Sequence, residues 1–302
     1  MSYWRKREKE HMKKREKDVN KIARRLKKNQ EQTMKEIERE INALYGRYAS
    51  KEGLTMEEAK KKVSELDIRE YEEKAKKYVA MSKSKDEETR QRAFTKSAND
   101  EMRLYNLTMR ANRLELLKAN IHLDLLSMRS YEERELYNHL INMTEGEYKR
   151  LAGMLGESVT FNSKKLASIV NSSFLTATWS DRLWKNQEAL RLELNKLLNL
   201  NIVQGAGSRK MAQKLRETFD TSVSASERLL RTETARVQTD VFLDVAKQLD
   251  IEKYEWIAEP SACPKCSALD GKVFDLSKGR WGTNLVPLHP NCMCALALVY
   301  EE

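Results

Sequence analysis

Cys263-x2-Cys266 and His289-x2-Cys292-x-Cys294 are the side chains of this sequence best suited to chemistry. Thiolate and imidazole donors suit zinc, and a structural zinc takes four of them tetrahedrally. A C-x2-C bend, helped by Pro264, lets two sulfurs converge on one ion; Pro290 does the same for the second half. Five donors compete for four places, which argues for a closed structural site rather than a catalytic one that keeps a position open. In a strand beginning at Cys292, Cys292 and Cys294 share a face continued by Leu296 and Leu298, so either can be the fourth ligand. All four cysteines and all four prolines (Pro260, Pro264, Pro287, Pro290) of the 302-residue chain lie at or beyond residue 260. A module of about 45 residues with few apolar groups cannot hold itself together by burial alone. A metal clip supplies the deficit. Buried reduced thiols are the competing reading, and a disulfide suits a cytosolic chain least.

Other candidate chemistry is thinner. "RTETAR" places Arg231, Glu233 and Arg236 within about a turn of one another, as an internal ion-pair network or as surface pairs of little energetic worth. No companion carboxylate or nucleophile is placed for a catalytic Glu233. "PSACPKC" echoes half of the zinc-deaminase pattern, but no H-x-E exists. The enzymatic alternative is a metal-dependent DNA nuclease centred on His289, for which a second C-x2-C and a downstream histidine are missing. "QGAGSRK" has neither the Walker spacing nor G-x-G-x-x-G.

The formal net charge is +10 and is unevenly placed: residues 1–30 hold 13 Lys+Arg against 4 Asp+Glu, the last 52 residues 5 against 7. A polyanion partner, most simply double-stranded DNA gripped without sequence preference, follows for this arm. The contacts would be Arg5, Lys6, Arg7, Lys13, Lys14, Arg15, Lys21, Arg24, Arg25, Lys27 and Lys28. The competing reading is a solvated, highly charged helix. Charged N-terminal residues without a following apolar core argue against a signal peptide, and no run of about 18 apolar residues exists, so a cytosolic start and no membrane are expected.

The elements that must position these groups are mostly helical, since Met, Leu, Lys, Glu and Arg abound and Gly and Pro are scarce before residue 250. Residues 3–48 read as one helix with a thin apolar stripe (Val19, Ile22, Leu26, Ile37, Ile41, Leu44) that needs a partner surface. Thr55 and Glu58 form a capping box after a break at "YASKEG", and "MSKSKDEET" is a second break. Leu104, Leu107, Ala111, Leu114, Leu117, Ile121, Leu125 and Met128 define a core helix ending near Met128. A shorter helix follows from Ser130, another lies near 145–155, and "FNSKKLASIVNSS" is a further one. Two helices then flank a turn containing Gly205 and Gly207, with Ser208 as cap. Arg209, Lys210, Lys214 and Arg216 are offset by Glu217 and Asp220, so this pair reads as a packed hairpin rather than a DNA-reading unit. Ser224 and Glu227 form another box, starting a helix whose buried face is Leu230, Val237, Val241, Val245 and Leu249. After residue 250 "KYEWIA" and "CALALVY" alternate like strands, and "LDGKVFDL" looks like a hairpin turning at Asp-Gly. The expected fold is mainly α: a basic helical arm (1–50), an elongated helical body (51–250) and a small zinc-clipped β module (251–302).

The blocks "NRLELLKANI", "WSDRLWKNQEALRLEL", "QGAGSRKMAQKL", "RLLRTETARVQ", "YEWIA…CPKCSALDGKVF" and "VPLHPNCMC" together resemble the minor head proteins of tailed bacteriophages, the head morphogenesis family related to the phage Mu F protein. The resemblance spans roughly residues 100–302. Its pattern falls on Arg231, Thr232, Glu233, Cys263, Cys266, Asp270, Gly271, His289, Pro290, Cys292 and Cys294. It implies a non-enzymatic virion component that joins the head during assembly in the host bacterial cytoplasm. The implied partners are the portal protein, the capsid interior and packaged DNA.

Overall fold

The computed structural model describes residues 3–49, 65–95, 98, 113–155, 159–204 and 208–299. Among them are helices α1 (Tyr3–Ala49), α2 (Glu65–Ala80), α3 (Glu87–Gln91), α4 (Arg113–Leu155), α5 (Ser163–Val170), α6 (Trp179–Gln204), α7 (Ser208–Gln248) and the one-turn α8 (Pro264–Ser267). Strands β1 (Lys253–Ile257), β2 (Val273–Asp275) and β3 (Ala295–Val299) form an antiparallel sheet in the order β2-β1-β3. The protein is thus mainly α with a small C-terminal sheet, as the composition predicts. No described helix is long and apolar enough to cross a membrane.

Helix continuity exceeds what the sequence suggests. The helices expected to end near Met128, to start at Ser130 and to lie near 145–155 are one helix, α4. Ser130 does not cap; its Oγ donates to the Leu126 carbonyl 2.8 Å away inside that helix. The box at Ser224 and Glu227 is likewise internal to α7, where Ser224 Oγ donates to the Asp220 carbonyl at 3.0 Å. A hydroxyl that bonds back to the i−4 carbonyl is compatible with an uninterrupted helix, so a cap-like pair in the sequence need not mark a start. Thr55, Glu58, Leu104, Leu107, Ala111, Gly205, Gly207 and the side chains of Leu44, Ser208 and Arg209 lie outside the described residues.

The chain divides into two compact units. One consists of Met1–Arg25, Glu135–Arg182 and Ala225–Glu302, the other of Leu26–Arg134 and Leu183–Ser224. The second unit is a helical core in which Ile37 and Ile41 meet Leu114, Leu117, Ile121, Leu125 and Met128 of α4, Leu190, Leu194, Leu197 and Leu198 of α6, and Met211, Leu215 and Phe219 of α7. Charges buried there find partners: Lys74 bridges Glu40 and Asp124, and Tyr78 donates to Asp124 at 2.6 Å. The first unit holds the sheet. Tyr254 and Trp256 are completely buried, and Ile257, Ala295 and Ala297 pack on Met12 and Trp4 of α1.

Three local expectations change. β1 pairs with β2 through Tyr254 opposite Phe274, and with β3 through Tyr254 opposite Leu298. "LDGKVFDL" is therefore not a hairpin; residues before Asp270 form α8 and a turn, and only Val273–Asp275 is a strand. Gly271 at φ +77° makes that turn, a left-handed conformation that costs glycine little. β3 begins at Ala295, after both cysteines, and Ala295 to Leu298 are all buried, so its two faces are not apolar and polar. The module therefore owns more core than its composition suggests, because α1 and α7 cover it; Phe242 of α7 meets Tyr254 edge-on at 6.4 Å.

Candidate metal centre and basic helix face

The first donor pair is made by a single helical turn. Cys263 is the N-cap of α8, Pro264 occupies the first helical position, and the Ser267 N–H reaches the Cys263 carbonyl at 2.9 Å. Proline fits there because its missing N–H would be unpaired anyway. The second set comes from a tight turn, His289-Pro290-Asn291-Cys292. The Cys292 N–H donates to the His289 carbonyl at 3.2 Å, and Asn291 sits at φ +72°. Proline second and a left-handed asparagine third is the residue order such a turn demands.

These two turns meet. His289 Nε2 lies 3.2 Å from both Cys263 Sγ and Cys266 Sγ, and Cys266 Sγ lies 3.7 Å from Cys292 Sγ. Two sets of donor atoms, Cys263–Cys266–His289 and Cys266–Cys292–Cys294, each fall within 4.8 Å of one another and could hold a metal ion. His289 Nδ1 is 2.8 Å from the Pro290 carbonyl. That bond places the ring proton on Nδ1 and leaves the Nε2 lone pair toward the sulfurs, the arrangement metal-binding histidines use. The thiols are split in acidity. Cys292 is brought down to about 6, first by a hydrogen bond from Cys294. Cys263 is lowered by the backbone N–H of Cys266. Burial pushes Cys266 up, and the bond to Cys292 pushes Cys294 up. Crowded thiols cannot all ionise by themselves; a dication would favour the thiolate at each ligand.

The loop that carries His289, Cys292 and Cys294 is pinned from outside. Thr232 Oγ1 of α7 accepts the Asn291 N–H at 2.8 Å and donates to the Arg228 carbonyl at 2.7 Å. Glu259 accepts the Met293 N–H at 3.1 Å, and Arg231 faces Glu259 at 3.8 Å. Arg15 of α1, 3% exposed, donates to the Met293 carbonyl, to the Cys294 carbonyl at 3.1 Å and to Gln238 at 2.7 Å. Asp270 accepts the Ala258 N–H at 2.8 Å and one guanidinium N–H of Arg5 at 2.5 Å, while Arg5 also pairs with Glu255. Arg15 as an anchor, Glu259 and Asn291 are not apparent from motif spacing. The available signal for Arg15 was its register with Met12, Val19 and Leu26, the buried side of α1.

Of the "RTETAR" residues, Glu233 and Arg236 are brought together at 2.6 Å and are fully buried, whereas Arg231 points to Glu259 instead. Glu233 also binds Arg182 at 2.6 Å, and Arg236 donates to the Ile169 and Val170 carbonyls at 2.8 and 2.9 Å and pairs with Asp240 at 2.7 Å.

The basic residues of α1 separate by face. Lys6, Arg7, Lys13, Lys14, Lys21, Arg24, Arg25, Lys27 and Lys28 are exposed, while Arg5 is half-buried and Arg15 buried, both held by the bonds above. Arg25 pairs with Glu135 at 3.2 Å, and Lys27 and Lys28 lie near Glu31 and Glu88 at 3.8 and 4.0 Å. Lys6, Arg7 and Lys14 border a groove of about 460 Å³ with Arg150, itself held by Glu8 and Glu147 at 2.6 Å each.

Residues 193–297 match the family described as Phage Mu protein F like protein. Neither the curated proteins nor the solved structures give a match. The matched stretch holds the Arg231-Thr232-Glu233 turn, both donor clusters and the sheet up to Ala297, whereas residues 100–192, which the motif resemblance takes in, lie outside it. Residues 193–297, about a third of the chain, are thus similar to the Phage Mu protein F like family.

Proposed function

We propose that this protein is a non-enzymatic minor head component that sits inside the virion, contacts the portal and capsid interior, and grips packaged double-stranded DNA through the exposed face of α1. The observation that carries the reading is the docking of α1: Arg5 and Arg15 face the family region and are bonded there, while Lys6, Arg7, Lys13, Lys14, Lys21 and Arg24 face solvent. A cationic row on one side of a fixed helix can contact phosphates without reading bases. Cys263, Cys266, His289 and Cys292 would hold a structural zinc, with Cys294 beside it. Two thiolates at zinc bond lengths of about 2.3 Å stand about 3.8 Å apart in a tetrahedron, close to the 3.7 Å between Cys266 and Cys292. The ion would tie α8 to the His289–Cys292 turn and supply no chemistry on a substrate.

The test is a gel shift of the full chain on linear duplex DNA over a salt series, with and without Mg²⁺ or Mn²⁺. Intact, retarded DNA is expected, and contact with about six phosphates gives a log–log salt slope of about −5. Metal-dependent fragments that vanish in His289→Ala would overturn this reading in favour of the nuclease. Zinc content of the purified chain, measured by atomic emission, tests the clip, and co-sedimentation with portal assemblies tests the partner.

A further inference from the structure

We infer that the small cavity lined by Arg15 and Gln238 binds one ordered water molecule, which links the arginine that pins residues 293–294 to the buried carboxylates of α1 and α4. The cavity lies within the first unit, among α1, α4, α7 and β3, and measures about 20 Å³. Arg15, Gln238, Glu8, Glu147 and His11 are in its polar lining, and Phe242 and Leu296 are in its apolar wall. One water needs about 10–15 Å³ of such space and two to four polar partners.

Two of those partners are known by atom. Arg15 and Gln238 are 3% and 5% exposed. Arg15 commits its two terminal nitrogens to Gln238 Oε1 and to the Met293 and Cys294 carbonyls. Its Nε, and the Nε2 of Gln238, are buried donors with no hydrogen-bond partner among the described residues. Buried polar groups in folded proteins are nearly always bonded, to protein or to ordered water. Two donors on the lining of one cavity therefore call for an acceptor inside it. That acceptor must be small and neutral. Glu8 and Glu147, 3% and 4% exposed, line the same cavity and repel an anion, and the Arg15 guanidinium repels a cation. A water accepts both N–H groups and still has two O–H groups to give. The carboxylates can take them: Arg150 supplies two bonds to Glu147 and one to Glu8, which leaves lone pairs on both groups. The bridge would join the start of β3 to α1 and α4 through one molecule. It uses no proposed zinc ligand and no exposed cation of α1, so it rests on neither the metal nor the DNA reading.

The experiment is a crystal structure of the full chain together with proton NMR of its side-chain N–H groups in water. Density for one water is expected within about 3.2 Å of both Arg15 Nε and Gln238 Nε2. The same two N–H groups should show cross-peaks to a water that exchanges slowly with bulk solvent. Gln238→Met removes one donor and should abolish the cross-peak at Arg15; should that variant fail to fold, the spectrum of the parent decides alone. A cavity without density, or Arg15 Nε bonded directly to Glu8 or Glu147, overturns the inference. So does an anomalous peak in the cavity of bromide-soaked crystals, which makes the occupant a halide, or a cross-peak at Arg15 that survives Gln238→Met.

Discussion

Arg15 and Lys14 are neighbours in sequence, identical in charge, and opposite in what they do. Arg15→Met removes donors to the Met293 carbonyl, the Cys294 carbonyl and Gln238, all inside the protein. It also takes a cation away from Glu8 and Glu147, which are 3% and 4% exposed. A buried carbonyl or amide left without a partner costs about 1–3 kcal/mol, and breaking a buried ionic cluster from one side costs about 3–5 kcal/mol. Arg150 still pairs with both carboxylates, and methionine fills much of the vacated volume, so the net loss should be about 3–4 kcal/mol. Lys14→Met, exposed, should stay within about 0.5 kcal/mol of the parent. The assay is urea unfolding followed by far-ultraviolet circular dichroism, with the reactivity of the four thiols as a local probe of the ligand loop. Arg15→Met should expose the thiols at lower urea; Lys14→Met should weaken DNA retardation alone. Equal stability of the two variants, or equal loss of DNA binding without destabilisation, would refute the assignment of Arg15 to the interior.

Other outcomes follow from the same geometry. Cys292→Ala should abolish metal retention, whereas Cys294→Ala should keep it, as metal analysis after dialysis against a chelator would report; the reverse result makes Cys294 the fourth ligand. Burial lowers His139 from 6.5 to about 4. The unfolded chain then takes up this proton first as pH falls, so the folded state loses about 3 kcal/mol between pH 6.5 and 4, and His139→Gln should flatten the stability–pH curve in that window. Leu175 and Thr176 form a two-residue turn at φ 47° and 74° between the paired Phe174 and Ala177, with Leu175 56% exposed. Replacing them with Asn-Gly, the preferred pair for such a turn, should raise stability by about 1–2 kcal/mol in thermal unfolding.

Periodicity located the long helices because their buried faces repeat every three to four residues, as Leu114, Leu117, Ile121, Leu125 and Met128 do. It misplaced their ends because Ser130 and Ser224 resemble caps in sequence but satisfy themselves on i−4 carbonyls. That cysteines and a histidine come together was legible because these residues at short spacing have few other uses; the arrangement of Cys292 and Cys294 was not, since the expected alternation fails where the strand starts only at Ala295. Arg15 was misleading for a physical reason. A sum of charges treats every arginine alike, and only the register with Val19 and Leu26, both buried, marks it as interior.

The three consecutive residues Arg231, Thr232 and Glu233 join a helix to the cysteine module in this chain. Successive side chains on a helix are about 100° apart, so three neighbours address three directions from one turn. Arg231 faces Glu259, which in turn holds the Met293 N–H. Thr232 holds the Asn291 N–H, at the left-handed residue of the His289–Cys292 turn. Glu233 faces away, to Arg182 and Arg236, and Arg236 ties the end of α5 through the Ile169 and Val170 carbonyls. One turn of α7 thereby fixes the loop of residues 289–294 on one side and the preceding helices on the other. Changing Thr232 to valine keeps its shape but removes the acceptor for Asn291, so metal should be held less tightly while the helical signal is unchanged; a metal affinity equal to that of the parent would remove Thr232 from the design of the site.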